Sequence, residues 1–199
     1  AICSPLDIRL TAKLFNQIKE SASHVQLHLN SSVNENIERK LRYQEKDFLI
    51  SYSHFESEEY SCEPLFKDEF VLAVSKDHPR INNMVSYQQL LVEQHAVVGL
   101  NLFSSLSRSY YEASELARCV AYQGTDMNSV LSVVSKTEMV AIAPRWLVED
   151  YAEHLNLSVV LLSDLERERT CYLSWHHAAE RDSGHQWMKA VLSDFGSKF

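Results

Sequence analysis

A chain of 199 residues is long enough to bury a sizeable core, as one large domain or as two lobes of about 100 residues each. Its 45% hydrophobic and 23% charged content is that of an ordinary globular protein, and a net charge of −8, from 19 basic and 27 acidic residues, argues against a surface that grips nucleic acid by its phosphates. No apolar run nears the roughly 20 residues of a membrane span, and no charged stretch followed by an apolar one marks a secretion signal, so the sequence predicts a cytoplasmic protein.

Residues 1–5 (Ala-Ile-Cys-Ser-Pro) read as the tail of a strand, which implies a piece of a longer chain. Leu10, Leu14 and Ile18 recur every four residues and predict an amphipathic helix opening just after Pro5. Val25-Gln26-Leu27-His28-Leu29 alternates as a strand should, residues 34–43 return to helix with Ile37 and Leu41 inward, and Phe48-Leu49-Ile50 is a short buried strand. Residues 70–79 (Phe-Val-Leu-Ala-Val-Ser-Lys-Asp-His-Pro) then join an apolar run to a polar stop at Pro79, which cannot donate to a ladder.

The plan repeats downstream. Strands are predicted at Ala96-Val97-Val98, Val120-Ala121-Tyr122 and Val140-Ala141-Ile142, and helices over 103–116, with Phe103, Leu106 and Tyr110 on one side, over 126–136 and over 145–155. Residues 157–162 and 170–175 are further strands, and a last helix aligns Trp187, Val191 and Phe195. Alternating strands and helices mean an α/β protein, and the strands at 70 and 170 each lead from one compact segment into another, as a bilobed protein requires.

Residues 70–79 and 128–144, with the closing strand and helix, resemble in order and spacing the effector-binding domain of LysR-type transcriptional regulators, across nearly the whole chain. Residues 41–45, 64–69, 140–147 and 169–188 narrow the resemblance to one bacterial member of that family. The resemblance implies two Rossmann-like lobes joined by two crossover strands, the type II periplasmic-binding-protein fold. It places regulatory lobe I at 1–73 plus 171–199 and lobe II at 74–170, with the helix-turn-helix DNA-binding domain outside this chain. It further implies a small-molecule effector in the interlobe cleft, no cofactor, and a head-to-tail homodimer, tetrameric in the full-length protein, in which the helix over 10–21 meets the helix over 126–136 of its partner. One departure stands out: only four glycines occur. The turns where the family places Gly read Gln44-Glu45-Lys46-Asp47 and Lys136-Thr137-Glu138 and must close by other geometry.

Candidate contacts follow from strand-to-helix turns, whose N–H groups and positive dipole ends suit a polar or anionic group. Ser4, Pro5 and Leu6 open the first helix, and Gly124, Thr125, Asp126 and Met127 form the equivalent turn of the other lobe. Ser31, Ser32, Gly99, Asn101 and Pro144 occupy comparable strand ends. The bland alternative for each is an ordinary cap or turn, a cap being worth about 1 kcal/mol. His176, His177, Glu180 and His185 lack metal-ligand spacing, and Arg181-Asp182-Ser183-Gly184 reads as a loop between them. Cys3, Cys62, Cys119 and Cys171 lie far apart and read as buried free thiols; a redox role is the sharper alternative, and only Cys119 falls near the family's sensing loop. There is no nucleophile elbow, phosphate loop or zinc-protease motif, so an enzyme is the least supported reading. A periplasmic solute-binding protein of a transporter shares the expected fold and is the alternative to a regulator.

Overall fold

The computed structural model describes residues 1–3, 5–30, 36–98, 118–163 and 167–199. Among these, contacts group the chain into two compact units: 1–67 with 170–199, and 68–98 with 118–163 and 167–169. The helix expected over 103–116 lies outside the described residues.

In the first unit the fourfold spacing of apolar residues produces α1 (Leu6–Ser21), which buries Leu6, Leu10, Leu14 and Ile18 along one stripe. That stripe packs on Phe48 and Ile50, on Cys171, Leu173 and Trp175, and on Leu192 and Phe195, which form a single core. α2 (Ile37–Arg42) turns Ile37 and Leu41 into a second cluster with Leu49, Phe55 and Tyr60. β1 (Leu49–Ser51) pairs antiparallel with β8 (Glu168–His176), and Ile2 bridges to Ile50 in parallel. The left-handed φ that glycine prefers is taken by Gln44 at 55° and by Asn36 at 82°, so the glycine-poor turns after and before α2 close with polar residues instead.

Three expectations for this unit need correction. Val25–Leu29 keeps its alternation in burial through His28, with Val25 and Leu27 packed on the core, but forms no strand; the Val25 amide donates to the Ala22 carbonyl at 3.1 Å, its carbonyl accepts from Lys19 Nζ at 2.7 Å, and the Ile2 amide donates to the Asn30 carbonyl at 3.1 Å. The final helix, α6 (Ser183–Gly196), buries Phe195 and packs Val191 on the core as expected, but turns His185 and Leu192 inward beside them and leaves Trp187 37% exposed. Residues 181–184 are not a loop. A 3₁₀ turn (His177–Arg181) runs up to Asp182, whose carboxylate accepts the His185 amide at 2.7 Å and caps α6, with Ser183 and Gly184 in its first turn.

In the second unit β2 (Tyr60–Ser75), which begins in the first, pairs antiparallel with β6 (Ala141–Pro144) and β7 (Leu157–Leu162). It is far longer than its apolar run: only 70–75 is buried throughout, while 60–69 is a half-exposed strand carrying Pro64 and charges. It ends at Ser75, before Pro79, in a turn where the Lys76 amide donates to Asn156 O at 2.9 Å. β3 (Met84–Val85) adds to β7 in parallel, and the short helix α3 (Tyr87–Val92), which the periodicity did not signal, is started by a Ser86/Gln89 capping box. β4 (Gln94–Val98) pairs in parallel with β5 (Cys119–Gly124). α4 (Met127–Val134) and α5 (Arg145–Ala152) bury Met127, Val130, Leu131, Val134, Leu147 and Val148. A partly buried polar cluster staples the approach to β4: Arg80 makes a two-pronged contact with Glu93 at 2.8 and 3.2 Å and reaches Glu138 at 2.8 Å.

Candidate functional site

The turn between β5 and α4 is built from Gly124, Thr125, Asp126 and Met127. Asp126 stands in extended backbone, its Oδ1 accepting the Ser129 amide at 2.9 Å. Thr125 Oγ1 donates to Oδ2 at 3.1 Å, and Ser129 Oγ donates to the Asp126 carbonyl at 2.8 Å. These donors, the Ser129 amide first, hold the Asp126 carboxyl below the ordinary aspartate range. Gly124 is there because space demands it. A Cβ at 124 would lie 2.7 Å from Ser129 Oγ, 3.0 Å from Val130 Cγ2 and 3.2 Å from Tyr122 Cε1. Ser129 was absent from the expected contacts, although the spacing Asp-x-x-Ser at a helix start is the signal of such a cap.

At the start of α1, Pro5 holds the N-cap position without a side-chain cap. The Leu6 amide donates to Cys3 O at 2.9 Å and the Ile8 amide to Pro5 O at 3.1 Å, while Asp7 puts a carboxylate into the first turn. Pro144 closes β6, precedes α5 and is paired across the ladder with Phe70. Leu6 is 0% and Met127 1% exposed, so both can offer a ligand backbone only. Of the expected contacts, then, 124–127 form one turn of the second unit, Pro144 heads a helix of the same unit, and Pro5 and Leu6 begin the main helix of the first. Ser4, Ser31, Ser32, Gly99 and Asn101 lie outside the described residues.

Electrostatics narrows what the α4 turn can receive. Its dipole end already faces the Asp126 carboxylate, and Asp7 stands at the α1 end, so a second anion meets like charge at both. A group that donates to Asp126, or accepts from Thr125 Oγ1, suits the turn better.

A cavity of about 400 Å³ in the first unit holds none of the expected contacts; Leu14, Leu27, Phe48, Ile50, Met188 and Leu192 form its apolar walls, and it opens beside the unladdered stretch at 25–30. Among the described residues no group of three His, Cys, Asp or Glu could hold a metal ion. Glu180 accepts from Trp175 Nε1 at 3.0 Å and Ser61 Oγ at 2.6 Å, and His176 Nδ1 accepts the Ala178 amide at 3.2 Å, so both serve the fold. All four cysteines are free, but only Cys171 is buried outright and Cys119 is exposed, against the expectation of four buried thiols. Partial burial pushes the Cys3 thiol up to about 12. No helix among the described residues is long and apolar enough to cross a membrane.

Two α/β units, joined by the strands β2 and β8 and carrying strand-to-helix turns, define the class of fold. Residues 3–196 match the LysR substrate binding domain family, and the chain belongs to it, with the type II periplasmic-binding-protein fold. The chain is 50% identical over 191 residues to the HTH-type transcriptional regulator LeuO of Escherichia coli (strain K12), covering 96% of this chain and 61% of LeuO. It is 28% identical over 170 residues to nodulation protein D of Azorhizobium caulinodans, covering 84% of this chain and 54% of that protein. The chain thus spans less than two thirds of each of these relatives. In fold it is similar to the effector-binding domain of QuiR in complex with shikimate (TM-score 0.79, 16% identity, 99% of this chain and 95% of that one). It is also similar to a probable transcriptional regulator of Pseudomonas aeruginosa (TM-score 0.80, 23% identity, 97% and 64%). The family is one of transcriptional regulators, which sets aside both the enzyme and the transporter component.

Proposed function

We propose that this chain is the effector-sensing and oligomerisation part of a LeuO-like, cytoplasmic LysR-type regulator, and that DNA is bound by a helix-turn-helix domain outside it. The observation that carries the reading is the 50% identity to LeuO across 96% of the chain. The net charge of −8 agrees with leaving DNA contact to another domain. In this reading residues 1–73 plus 171–199 act as regulatory lobe I and 74–170 as lobe II. A small polar effector engages the turns that start α1 and α4, with Ser31, Ser32, Gly99, Asn101 and Pro144 around it, and it acts by binding one arrangement of the lobes better than the other. The Asp7 and Asp126 carboxylates favour an effector that presents hydroxyl or amide groups there over the anionic one expected from the turns alone.

Oligomerisation is assigned to a homodimer in which α1 of one protomer meets α4 of its partner, assembling to a tetramer in the full-length protein. Ile8 and Phe15, 44% and 45% exposed on the outer face of α1, are the apolar side chains available for it.

The test is thermal stabilisation of the chain by pooled polar metabolite fractions, repeated with Thr125→Val. We expect a stabilising fraction whose effect Thr125→Val abolishes while the unliganded melting temperature stays within about 2 °C, as for a surface change of under about 0.5 kcal/mol. Full stabilisation of Thr125→Val by the same fraction would overturn the assignment of the α4 turn.

A further inference from the structure

Among the described residues the chain passes between its two units at Lys67/Asp68 and at Arg169/Thr170, and on the second-unit side of both crossings the side chains are tied together. Glu69, on β2, receives Arg145 Nε on Oε2 at 2.6 Å and Arg145 Nη2 on Oε1 at 3.2 Å, a two-pronged grip; Arg167, beside the start of β8, adds Nη1 on Oε1 at 3.2 Å. Arg145 is the first residue of α5, directly after Pro144, which is paired with Phe70 of β2. The Phe70 amide donates to the Arg167 carbonyl at 2.7 Å, and Trp146 Nε1 donates to the buried Asp68 carboxylate at 3.3 Å. Two crossing strands and one helix of the same unit therefore meet at a single carboxylate.

Stability alone does not account for this arrangement. Glu69 and Arg145 side chains are about a third exposed, and ion pairs in such settings are worth little globally. Their geometry instead restrains backbone torsions beside the two described crossings, the kind of position that hinge residues occupy. Arg145 also holds the Glu69 carboxyl below the ordinary glutamate range, so the grip persists at neutral pH.

We propose that Glu69, held by Arg145 and Arg167, is a hinge clamp that fixes β2 and β8 to α5 at both crossings and so sets how readily the domain switches. The clamp itself is a property of this chain; its regulatory consequence rests on the function proposed above, and two separate readouts distinguish them.

The first is hydrogen exchange of the Phe70 amide and of residues 167–169 in the 199-residue chain. Glu69→Gln is expected to speed exchange there by roughly tenfold with the rest of the unit unchanged, and Glu149→Gln, which removes only the exposed partner of Arg145 at 3.3 Å, to leave it alone. Should Glu69→Gln fail to fold, the parent chain serves: raising salt to about 1 M, where the screening length is about 3 Å, is expected to speed the same amides selectively. Exchange within about twofold of the parent, in the variant or in salt, overturns the clamp. The second readout is promoter output of the full-length regulator without added effector. A severalfold change for Glu69→Gln ties the clamp to switching, whereas altered exchange with unchanged output refutes the regulatory consequence and keeps the clamp.

Discussion

Replacing Gly124 by Ala tests the packing beneath the α4 turn. The residue does not need a left-handed backbone, since Gly124 is not among the described residues with positive φ, so the substitution brings the usual gain of about 0.4–1 kcal/mol from a stiffer unfolded chain. Against it stands overpacking. The new Cβ meets Ser129 Oγ at 2.7 Å and Val130 Cγ2 at 3.0 Å, distances at which a neighbour must shift. Val130 is 0% exposed and has nowhere to go, and the Ser129 hydroxyl is anchored on the Asp126 carbonyl at 2.8 Å. Overpacking of this kind costs about 1–3 kcal/mol, so the net loss spans about 0–2.6 kcal/mol and is about 1.3 kcal/mol at mid-range. For a chain of this size the mid-range loss lowers the melting temperature by about 3–5 °C, readable by calorimetry. Gly124→Ala combined with Ser129→Ala relieves the closest contact, so a double-mutant cycle is expected to show favourable coupling of about 0.5 kcal/mol or more. A Gly124→Ala protein as stable as the parent, or strictly additive losses in the cycle, would refute the argument that space makes position 124 a glycine.

Two further outcomes concern pH and backbone strain. Burial holds the fully buried His95, whose Nε2 lies 2.9 Å from Leu90 O, below its ordinary pKa, and His176 likewise, so the folded state binds these protons less readily than the unfolded chain. Their stabilisation is present above about pH 6.5 and is lost as pH falls from there toward the folded values. Asp126, Glu93 and Glu69 are depressed by the Ser129 amide, Arg80 and Arg145 respectively, so their stabilisation persists above about pH 4 and disappears as pH falls through the lowered pKa values. Urea midpoints are therefore expected to drop in two stages on acidification, His95→Gln shrinking the upper and Glu93→Gln the lower; a His95→Gln profile identical to the parent's contradicts this. Gln44 has φ 55°, where glycine is at ease, so Gln44→Gly is expected to raise stability by about 0.5–1 kcal/mol while Asn36→Gly stays near neutral. A lower melting temperature for Gln44→Gly counts against strain at that turn.

What could be read of the fold from the sequence was whatever one period makes visible. The stripe of Leu10, Leu14 and Ile18 and the buried half of β2 announce themselves because one side of each meets a core and the pattern repeats it. The outer half of β2 hides behind Pro64 and four charges at Glu63, Lys67, Asp68 and Glu69, because a strand exposed on one face needs few apolar residues. α6 misled for a different reason. Trp187 is large and apolar, and a hydrophobic pattern weighs it as core, yet the helix turns His185 inward to stack on Phe48 at 4.2 Å between ring centres.

The candidate site was legible as position and illegible as charge. That Gly124-Thr125-Asp126-Met127 links a strand to a helix follows from the flanking patterns, and the family's fold makes such turns the place to look. Whether the turn welcomes an anion depends on where one carboxylate points. An Asp at this position turned toward solvent leaves the helix amides open; turned back, as Asp126 is, it engages the Ser129 amide and brings its own negative charge to the dipole. The same four letters therefore permit opposite ligand preferences, separated by a rotamer about a single side-chain bond. On the function proposed above, the seated carboxylate favours a neutral polar effector, and Asp126→Asn, which keeps an oxygen for the Ser129 amide but removes the charge, is expected to shift the preference back toward an anion.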